Sequence, residues 1–187
     1  GLSMTTGVQN TLIGGQAGDA LTDADHNVVV GYAALSSDTL GSKSIAIGHA
    51  ALQVQNFTTA TDAYNVAVGY NAGQATTTGI NNTLIGGLAG DALTDADLNV
   101  AVGYAALSSD TLGGLSTAIG YQALKTQNFT TATSTYNTAV GYNAGVLVTT
   151  GVNNTLIGAL AGDALTDADN NTAVGRASLS ADTLGSR

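Results

Sequence analysis

Aspartates recur at a fixed spacing in this chain, and carboxylates in such a pattern could bind a metal ion. The segment Gly-Asp-Ala-Leu-Thr-Asp-Ala-Asp occurs three times, beginning at Gly18, Gly90 and Gly162. Acidic side chains at alternating positions resemble the first part of a calcium loop, because Ca²⁺ takes oxygen ligands. The glycine and the bidentate acidic residue that complete a calcium loop are missing here. The competing interpretation is an Asx turn, in which each Asp side chain bonds to its own backbone. The candidate calcium ligands are Asp19, Asp23, Asp25, Asp91, Asp95 and Asp97.

Aromatic residues recur at two other points and could contact a ligand. Tyr104, Tyr121 and Tyr142 each follow an Ile-Gly or Val-Gly pair. Rows of aromatic rings can stack on sugar rings, or they can pack on one another along a repeat. Phe57 and Phe129, the only phenylalanines, lie in two copies of Gln-Asn-Phe-Thr-Thr-Ala-Thr. They are either exposed contact residues or packed against the chain.

The sequence contains no recognisable catalytic set. His26 and His49 are the only histidines, and Leu98 and Asn170 replace His26 in the other copies of its segment. No Ser–His–Asp arrangement and no phosphate-binding loop can be placed. We therefore expect neither an enzyme nor a bound cofactor.

Composition narrows the possible partners and the fold. The formal charge of −9 disfavours nucleic acid, whose readers carry basic patches, and no run of apolar residues is long enough for membrane insertion. All 13 acidic residues are Asp, and there is no Pro or Cys. Polar positions filled by Asn, Asp, Ser and Thr favour turns and strands over helices.

The elements that must position these residues are short repeating units. Ten units, which we call rungs, run 17, 17, 21 and 17 residues and so give a 72-residue cycle. Residues 1–187 are a single array: a partial rung at 1–9, cycles at 10–81 and 82–153, and a partial cycle at 154–187. We expect it to be a piece of a longer fibre. The rungs begin at Asn10, Asn27, Ser44, Asn65, Asn82, Asn99, Ser116, Asn137, Asn154 and Asn171.

Each rung predicts one coil of a β-solenoid, an all-β fold of stacked parallel strands. Counting from the first residue, position 4 is always Ile or Val and is predicted to lie in the core. Position 5 is always Gly, which indicates positive φ or close backbone approach, and position 8 is Ala or Ser178. Asn at position 1 is expected to form amide ladders between rungs. A strand over positions 2–5, a corner and a second short strand would complete the coil.

The strands are apolar on both faces, which predicts self-association. Val28-Val29-Val30 and Val66-Ala67-Val68 do not alternate apolar and polar residues. A narrow coil covers only the inner face of such a strand, so we expect the outer face to meet another chain.

The segments Ser44–Ala51 and Ser116–Ala123 resemble the head repeat of the YadA-like trimeric autotransporter adhesins. Asn137–Tyr142 is similar to units of phage tail-fibre proteins that carry the same repeat. The resemblance implies a left-handed parallel β-roll, a homotrimer around a common axis, and adhesion. These rungs of 17–21 residues are longer than the family's, and the extra residues follow position 8.

The leading hypothesis is therefore an extracellular structural and adhesive segment, either a bacterial surface adhesin head or a virion tail-fibre shaft. It would contact a host-surface ligand, a glycan in our expectation. One alternative is a passive spacer with no ligand. The other is a monomeric ice-binding solenoid, suggested by Thr76-Thr77-Thr78 and Thr149-Thr150, although such Thr clusters skip rungs.

Overall fold

The computed structural model describes residues 1–185, which form a parallel β-solenoid of about ten turns with no helix. Over this range, accordingly, no helix has the length and apolar character needed to cross a membrane. One ten-stranded parallel sheet runs along the stack. Its three-residue strands are β1 (Thr11–Ile13), β2 (Val28–Val30), β4 (Ile45–Ile47), β6 (Val66–Val68), β7 (Thr83–Ile85), β8 (Val100–Val102), β10 (Thr117–Ile119), β12 (Thr138–Val140), β13 (Thr155–Ile157) and β14 (Thr172–Val174).

The predicted second strand forms only in part. Two-residue strands pair in parallel between the second and third rungs of each complete cycle. These are β3 (Gly41–Ser42) with β5 (Thr61–Asp62), and β9 (Gly113–Gly114) with β11 (Thr133–Ser134). In the main sheet each residue pairs with the same position of the next rung, as Leu84 pairs with Ala101. The register of the sequence repeat is thus the register of the sheet.

The prediction that position 4 lies in the core is wrong. Each main strand spans positions 2–4, and its middle residue points inward, as the buried Val29, Ala67 and Leu84 show. Because successive side chains of a strand point to opposite faces, positions 2 and 4 both point outward. The position 4 side chains Ile13 and Val174 are 59% and 66% exposed.

Glycine at position 5 meets both requirements predicted for it. In the ten rungs this residue has φ between 120° and 145°, outside the range that L residues favour. A Cβ on Gly103 would lie 2.4 Å from the carbonyl oxygen of Gly120 in the next rung. Only a residue without a side chain permits this corner to stack.

In most rungs the interior is filled by large and small residues that compensate each other; where both are small, as at Ala67 and Gly73, leucines of the neighbouring rungs fill the space. Where position 3 is Leu84, position 9 is Gly90, and a Cβ on Gly90 would lie 2.7 Å from a Leu84 methyl carbon. In the next rung Ala101 is paired with the fully buried Leu107. The nine alanines at position 8 are also buried, which confirms the tight space predicted there.

Asparagine at position 1 ties each rung to the next. Asn82 is fully buried; its Oδ1 accepts the Asn99 backbone N–H at 3.0 Å, and its Nδ2 donates to the Ala96 carbonyl at 2.7 Å. The predicted ladder exists, but its bonds run mainly from amide to backbone rather than from amide to amide. Each Asn therefore satisfies two buried backbone groups that would otherwise be orphaned.

In the 21-residue rungs, where Ser replaces Asn at position 1, other buried side chains supply hydrogen bonds between the rungs. Gln55 Nε2 donates to Ser44 Oγ at 3.2 Å and to Asp38 Oδ2 at 2.6 Å, while Gln55 Oε1 accepts from Asn65 Nδ2 at 2.9 Å. The fully buried Asp38 carboxylate also accepts the backbone N–H groups of Phe57 and Gly41, each at 3.0 Å. Gln127 and Asp110 repeat this network in the second cycle. A buried carboxylate with three or more donors is tolerated in a core.

Thr76 gives the first testable prediction, because its buried hydroxyl has no hydrogen-bond partner. The equivalent residue of the second cycle is the buried Val148. We expect Thr76→Val to raise the free energy of unfolding by about 1 kcal/mol, since it removes an unsatisfied buried polar group at nearly constant volume. Thermal unfolding followed by circular dichroism measures the change. The reverse substitution Val148→Thr should lower stability by a similar amount, and equal melting temperatures for both variants would contradict the argument.

Candidate functional site

Aromatic side chains at position 6 form stacked rows on the outside of the corner. Tyr104, Tyr121 and Tyr142 stack with ring centroids 5.6 Å and 5.4 Å apart and planes within 18°. In the first cycle His49 stacks between two tyrosines, Tyr32 and Tyr70, at 5.6 Å and 5.1 Å. The rings pack on one another, as one of the two alternatives predicted, and each tyrosine remains about half exposed. These aromatic ladders therefore present ring edges and hydroxyls to solvent.

The ladders are interrupted once in each cycle. Gly15, Gly87 and Ala159 occupy position 6 in the first rung of each cycle. Tyr70, Gly87 and Tyr104 lie in consecutive rungs. The Leu88 N–H donates to the Tyr70 carbonyl, and the Ala105 N–H donates to the Gly87 carbonyl, each at 2.9 Å. We call this interruption the Gly87 gap.

In the first two acidic loops, the second and third aspartates bond to the preceding rung rather than to their own loop. Asp25 Oδ1 accepts the Val8 backbone N–H at 2.7 Å, and Asp97 Oδ1 accepts the Ile80 N–H at 2.7 Å. Similarly, Asp23 and Asp95 accept from threonine hydroxyls of the preceding rung. The Asx turn expected for these residues is thus replaced by bonds across 17 residues. Within residues 1–185, no group of three or more acidic or histidine side chains is placed to hold a metal ion.

The first aspartate of each loop lies apart from the other two. Asp19 Oδ1 accepts from the amino terminus of Gly1 at 3.3 Å. Burial raises the pKa of the Asp91 carboxyl, whose Oδ1 has no hydrogen-bond partner. The six calcium candidates are therefore distributed over separate contacts, and calcium binding stays a prediction.

A cleft lies where the second acidic loop meets the end of the second long-rung insertion. It has a volume of about 240 Å³ and spans three consecutive rungs. Asp95 and Asp97 provide carboxylates, Ser134 provides a hydroxyl, and leucines provide aliphatic wall. Its lining residues are Asp95, Ala96, Asp97, Leu98, Leu112, Gly114, Leu115, Ala132, Thr133 and Ser134. The cleft could hold a small polar molecule with one apolar side.

The same place in the first cycle contains an ion pair. Lys43, equivalent to Leu115, donates from Nζ to the Asp62 carboxylate at 2.6 Å and to the Tyr64 hydroxyl at 3.1 Å. The hydrogen bond with Lys43 lowers the pKa of the Asp62 carboxyl, and the same bond raises the pKa of Lys43. Because Ser134 replaces Asp62 in the second cycle, the two cycles present different chemistry at one structural position.

The remaining candidates from the sequence are structural in this chain. Phe57 and Phe129 are only 6% and 7% exposed, so they pack against the coil and are not exposed contact residues. His26 is exposed, whereas His49 belongs to the aromatic ladder. Neither histidine has a nucleophile or carboxylate bonded to it among the described residues. The expectation that the chain is not an enzyme stays a prediction.

The outward positions of the main strands form a row along the described stack, which we call the outer stripe. Position 4 contributes only Ile and Val, and position 2 contributes Thr, Val or Ile. The position 4 members are Ile13, Val30, Ile47, Val68, Ile85, Val102, Ile119, Val140, Ile157 and Val174. Because the strands are in register, these side chains run in one row beside the glycine corner.

Sequence reasoning did not find the cleft or the Asp38–Gln55 network. The cleft needs residues from three rungs, and only the registered stack brings them together. The network has a visible signal, since Ser at position 1 occurs only in rungs of 21 residues. That correlation indicates that the insertion supplies a hydrogen-bonding group in place of the Asn amide, which Ser lacks.

The fold and the repeat define this chain as a parallel β-solenoid repeat protein. No protein-family model, curated protein or solved structure matches it. Its similarity to adhesin heads and tail fibres stays a prediction.

Proposed function

We propose that this chain is a segment of an extracellular trimeric fibre, in which three left-handed β-rolls pack around a common axis through the outer stripe. The continuous outward row of Ile and Val over ten rungs carries the proposal. Side chains of this kind are costly to leave in water, and contiguous apolar surfaces mark interaction sites. A self-complementary row with a constant rung spacing suits identical chains in register.

The proposed work of the fibre is mechanical reach combined with adhesion, not catalysis. Parallel strands bonded rung to rung resist extension along the stack, and the buried Asn ladder adds bonds between neighbouring rungs. The half-exposed tyrosine ladders support contact with a surface glycan, because aromatic side chains combine an apolar face with a polar tip. The fibre belongs to a bacterial surface adhesin or to a virion tail; a spacer without a ligand would share every feature except the glycan contact.

Mass in solution tests the assembly. Analytical ultracentrifugation of the chain should give three times the monomer mass of 18.4 kDa, with the same value over a wide concentration range. A mass of 18.4 kDa at every concentration would contradict the trimer.

Ice binding by a monomer is a second candidate, favoured by one feature of the outer stripe. Position 2 is Thr in six of the ten rungs, beside the methyl-rich position 4. The row is broken at Val28, Ile45, Val66 and Val100. A monomeric mass together with thermal hysteresis of freezing would support this function over the fibre.

A further inference from the structure

The spacing of the aromatic ladders sets the thickness of the Gly87 gap. Consecutive rings lie 5.1–5.6 Å apart, close to the spacing of neighbouring strands. Tyr70 and Tyr104 are two rungs apart, so their rings are separated by roughly 10 Å. This is the space that one further ring would fill, with contact to a tyrosine face on each side.

We propose that the Gly87 gap binds one pyranose ring of a glycan, held between Tyr70 and Tyr104. The inference rests on the proposed adhesive function and assigns its site. A pyranose with equatorial hydroxyls has an apolar C–H surface on both faces and hydroxyls around its rim. The gap offers matching surfaces, since a tyrosine covers each face while both tyrosines remain 59% and 50% exposed. The rim of the sugar would therefore stay hydrated.

The rim of the gap favours a sugar over an aromatic hydrocarbon. The Tyr70 carbonyl oxygen at the floor of the gap already accepts the Leu88 backbone N–H at 2.9 Å. The polar partners are the hydroxyls of Tyr70 and Tyr104 at the outer ends of the rings, which can exchange hydrogen bonds with sugar hydroxyls and which a hydrocarbon cannot use.

Only one interruption of the described ladders has a tyrosine on both sides. Gly15 lies against Tyr32 in the following rung, with a built Cβ 3.4 Å from the Tyr32 ring. Ala159 lies between Tyr142 and Arg176 in the neighbouring rungs. Within residues 1–185, both flanking tyrosines are described for the Gly87 gap, and the other two interruptions provide comparisons along the same stretch.

Substitution of Gly87 by tyrosine tests the site by filling it. Gly87 does not have positive φ, and a Cβ there would meet the Tyr104 ring at an ordinary 3.5 Å, so Gly87→Tyr should fold. Gly15→Tyr is the matched control, because it adds the same side chain at the same position without closing the gap. The probes are methyl β-glucopyranoside and a β-1,4-linked glucose hexasaccharide, with binding followed by saturation-transfer NMR and by titration.

We expect the intact chain to bind both probes, and Gly87→Tyr to weaken binding tenfold or more with an unchanged or higher melting temperature. Gly15→Tyr should stay within twofold of the intact chain. Methyl β-galactopyranoside should bind more weakly than the glucoside, since its axial hydroxyl disrupts one of the two apolar faces. Tyr70→Ala and Tyr104→Ala should each weaken binding of the hexasaccharide.

Three results would overturn the inference: no binding of the glucose probes, equal binding by Gly87→Tyr, or preferential binding of 4-methylphenol. The solution mass separates these failures from failure of the fibre. A trimer that binds no glucose probe would remove the site and leave the fibre intact. A monomer that binds at the Gly87 gap would remove the trimer and leave the site.

Discussion

If the proposed trimer forms through the outer stripe, lysines at the centre of that stripe should convert it into folded monomers. Ile85 and Val102 pair directly across strands β7 and β8, and both point out of the coil. In Ile85→Lys combined with Val102→Lys, association would bring six ammonium groups into one apolar contact around the axis. Removing a charge from water without a partner costs several kcal/mol for each ion, which exceeds what an apolar contact of a few residues returns. The measured mass should fall threefold.

The same variant should keep its β-solenoid fold, because the substituted side chains leave the interior unchanged. Leu84 and Ala101, their neighbours in sequence, remain buried and in register. Circular dichroism should therefore retain the β spectrum while ultracentrifugation reports the monomer. Thr59→Lys combined with Thr131→Lys adds equal charge to exposed insertion loops and should remain trimeric.

A conservative exchange completes the test of the outer stripe. Ile85→Val combined with Val102→Ile keeps the apolar row and its total volume, so the trimer should persist. If the lysine variant retains three times the monomer mass, the outer stripe is not the interface and the proposed assembly is wrong.

The coil was predictable from the sequence because the repeat fixes its register. Position 5 is always Gly, and this invariance indicated the corner that the structure contains. The faces of the strand were not predictable in the same way. Positions 3 and 4 are both apolar, and rungs such as Ser44–Ala51 carry Ala46 in the middle beside the larger Ile47. A prediction based on side-chain size and β-branching therefore places position 4 in the core, whereas the structure buries position 3.

The reason for that error is the width of the coil. Opposite Ala46 lies Leu52 at position 9, fully buried, which fills the interior that a larger middle residue would occupy. Where the middle residue is Leu84, position 9 becomes Gly90, so the total volume is kept. This compensation between positions six residues apart occurs in most rungs but not in those with Ala67 and Ala139, and it becomes visible in the sequence only after the coil is known.

The candidate sites were predictable to different degrees. The aromatic ladder follows directly from the repeat, since position 6 is stacked in register once the rungs are aligned. The contact between the second acidic loop and the end of the second insertion depends on how far the longer rung projects. The buried hydrogen bond between Gln127 and Asp110 is likewise not revealed by the spacing of residues.

Substitution of Gly103 by alanine should destabilise the chain strongly, because it combines an unfavourable φ with a backbone clash. Its φ of 133° lies in a region that costs an L residue about 1–3 kcal/mol. In addition, the new Cβ would lie 2.4 Å from the Gly120 carbonyl oxygen, and that oxygen belongs to backbone held on both sides by the sheet. Relief would require separating two rungs, which breaks hydrogen bonds as well. We expect the free energy of unfolding to fall by about 4 kcal/mol or more.

Gly175 provides the matched control, because it shares the corner without the contact. Its φ is 120°, yet a Cβ there would have no neighbour within 4 Å. Gly175→Ala should therefore cost only the backbone term, about 1–3 kcal/mol, and less if the last rung unfolds locally. Urea unfolding of both variants, followed by circular dichroism at one protein concentration, measures the difference. Equal losses in the free energy of unfolding would show that the close stacking of the corners adds nothing to the cost of the unfavourable φ. A larger loss for Gly103→Ala would show that backbone contact between rungs also requires Gly at position 5.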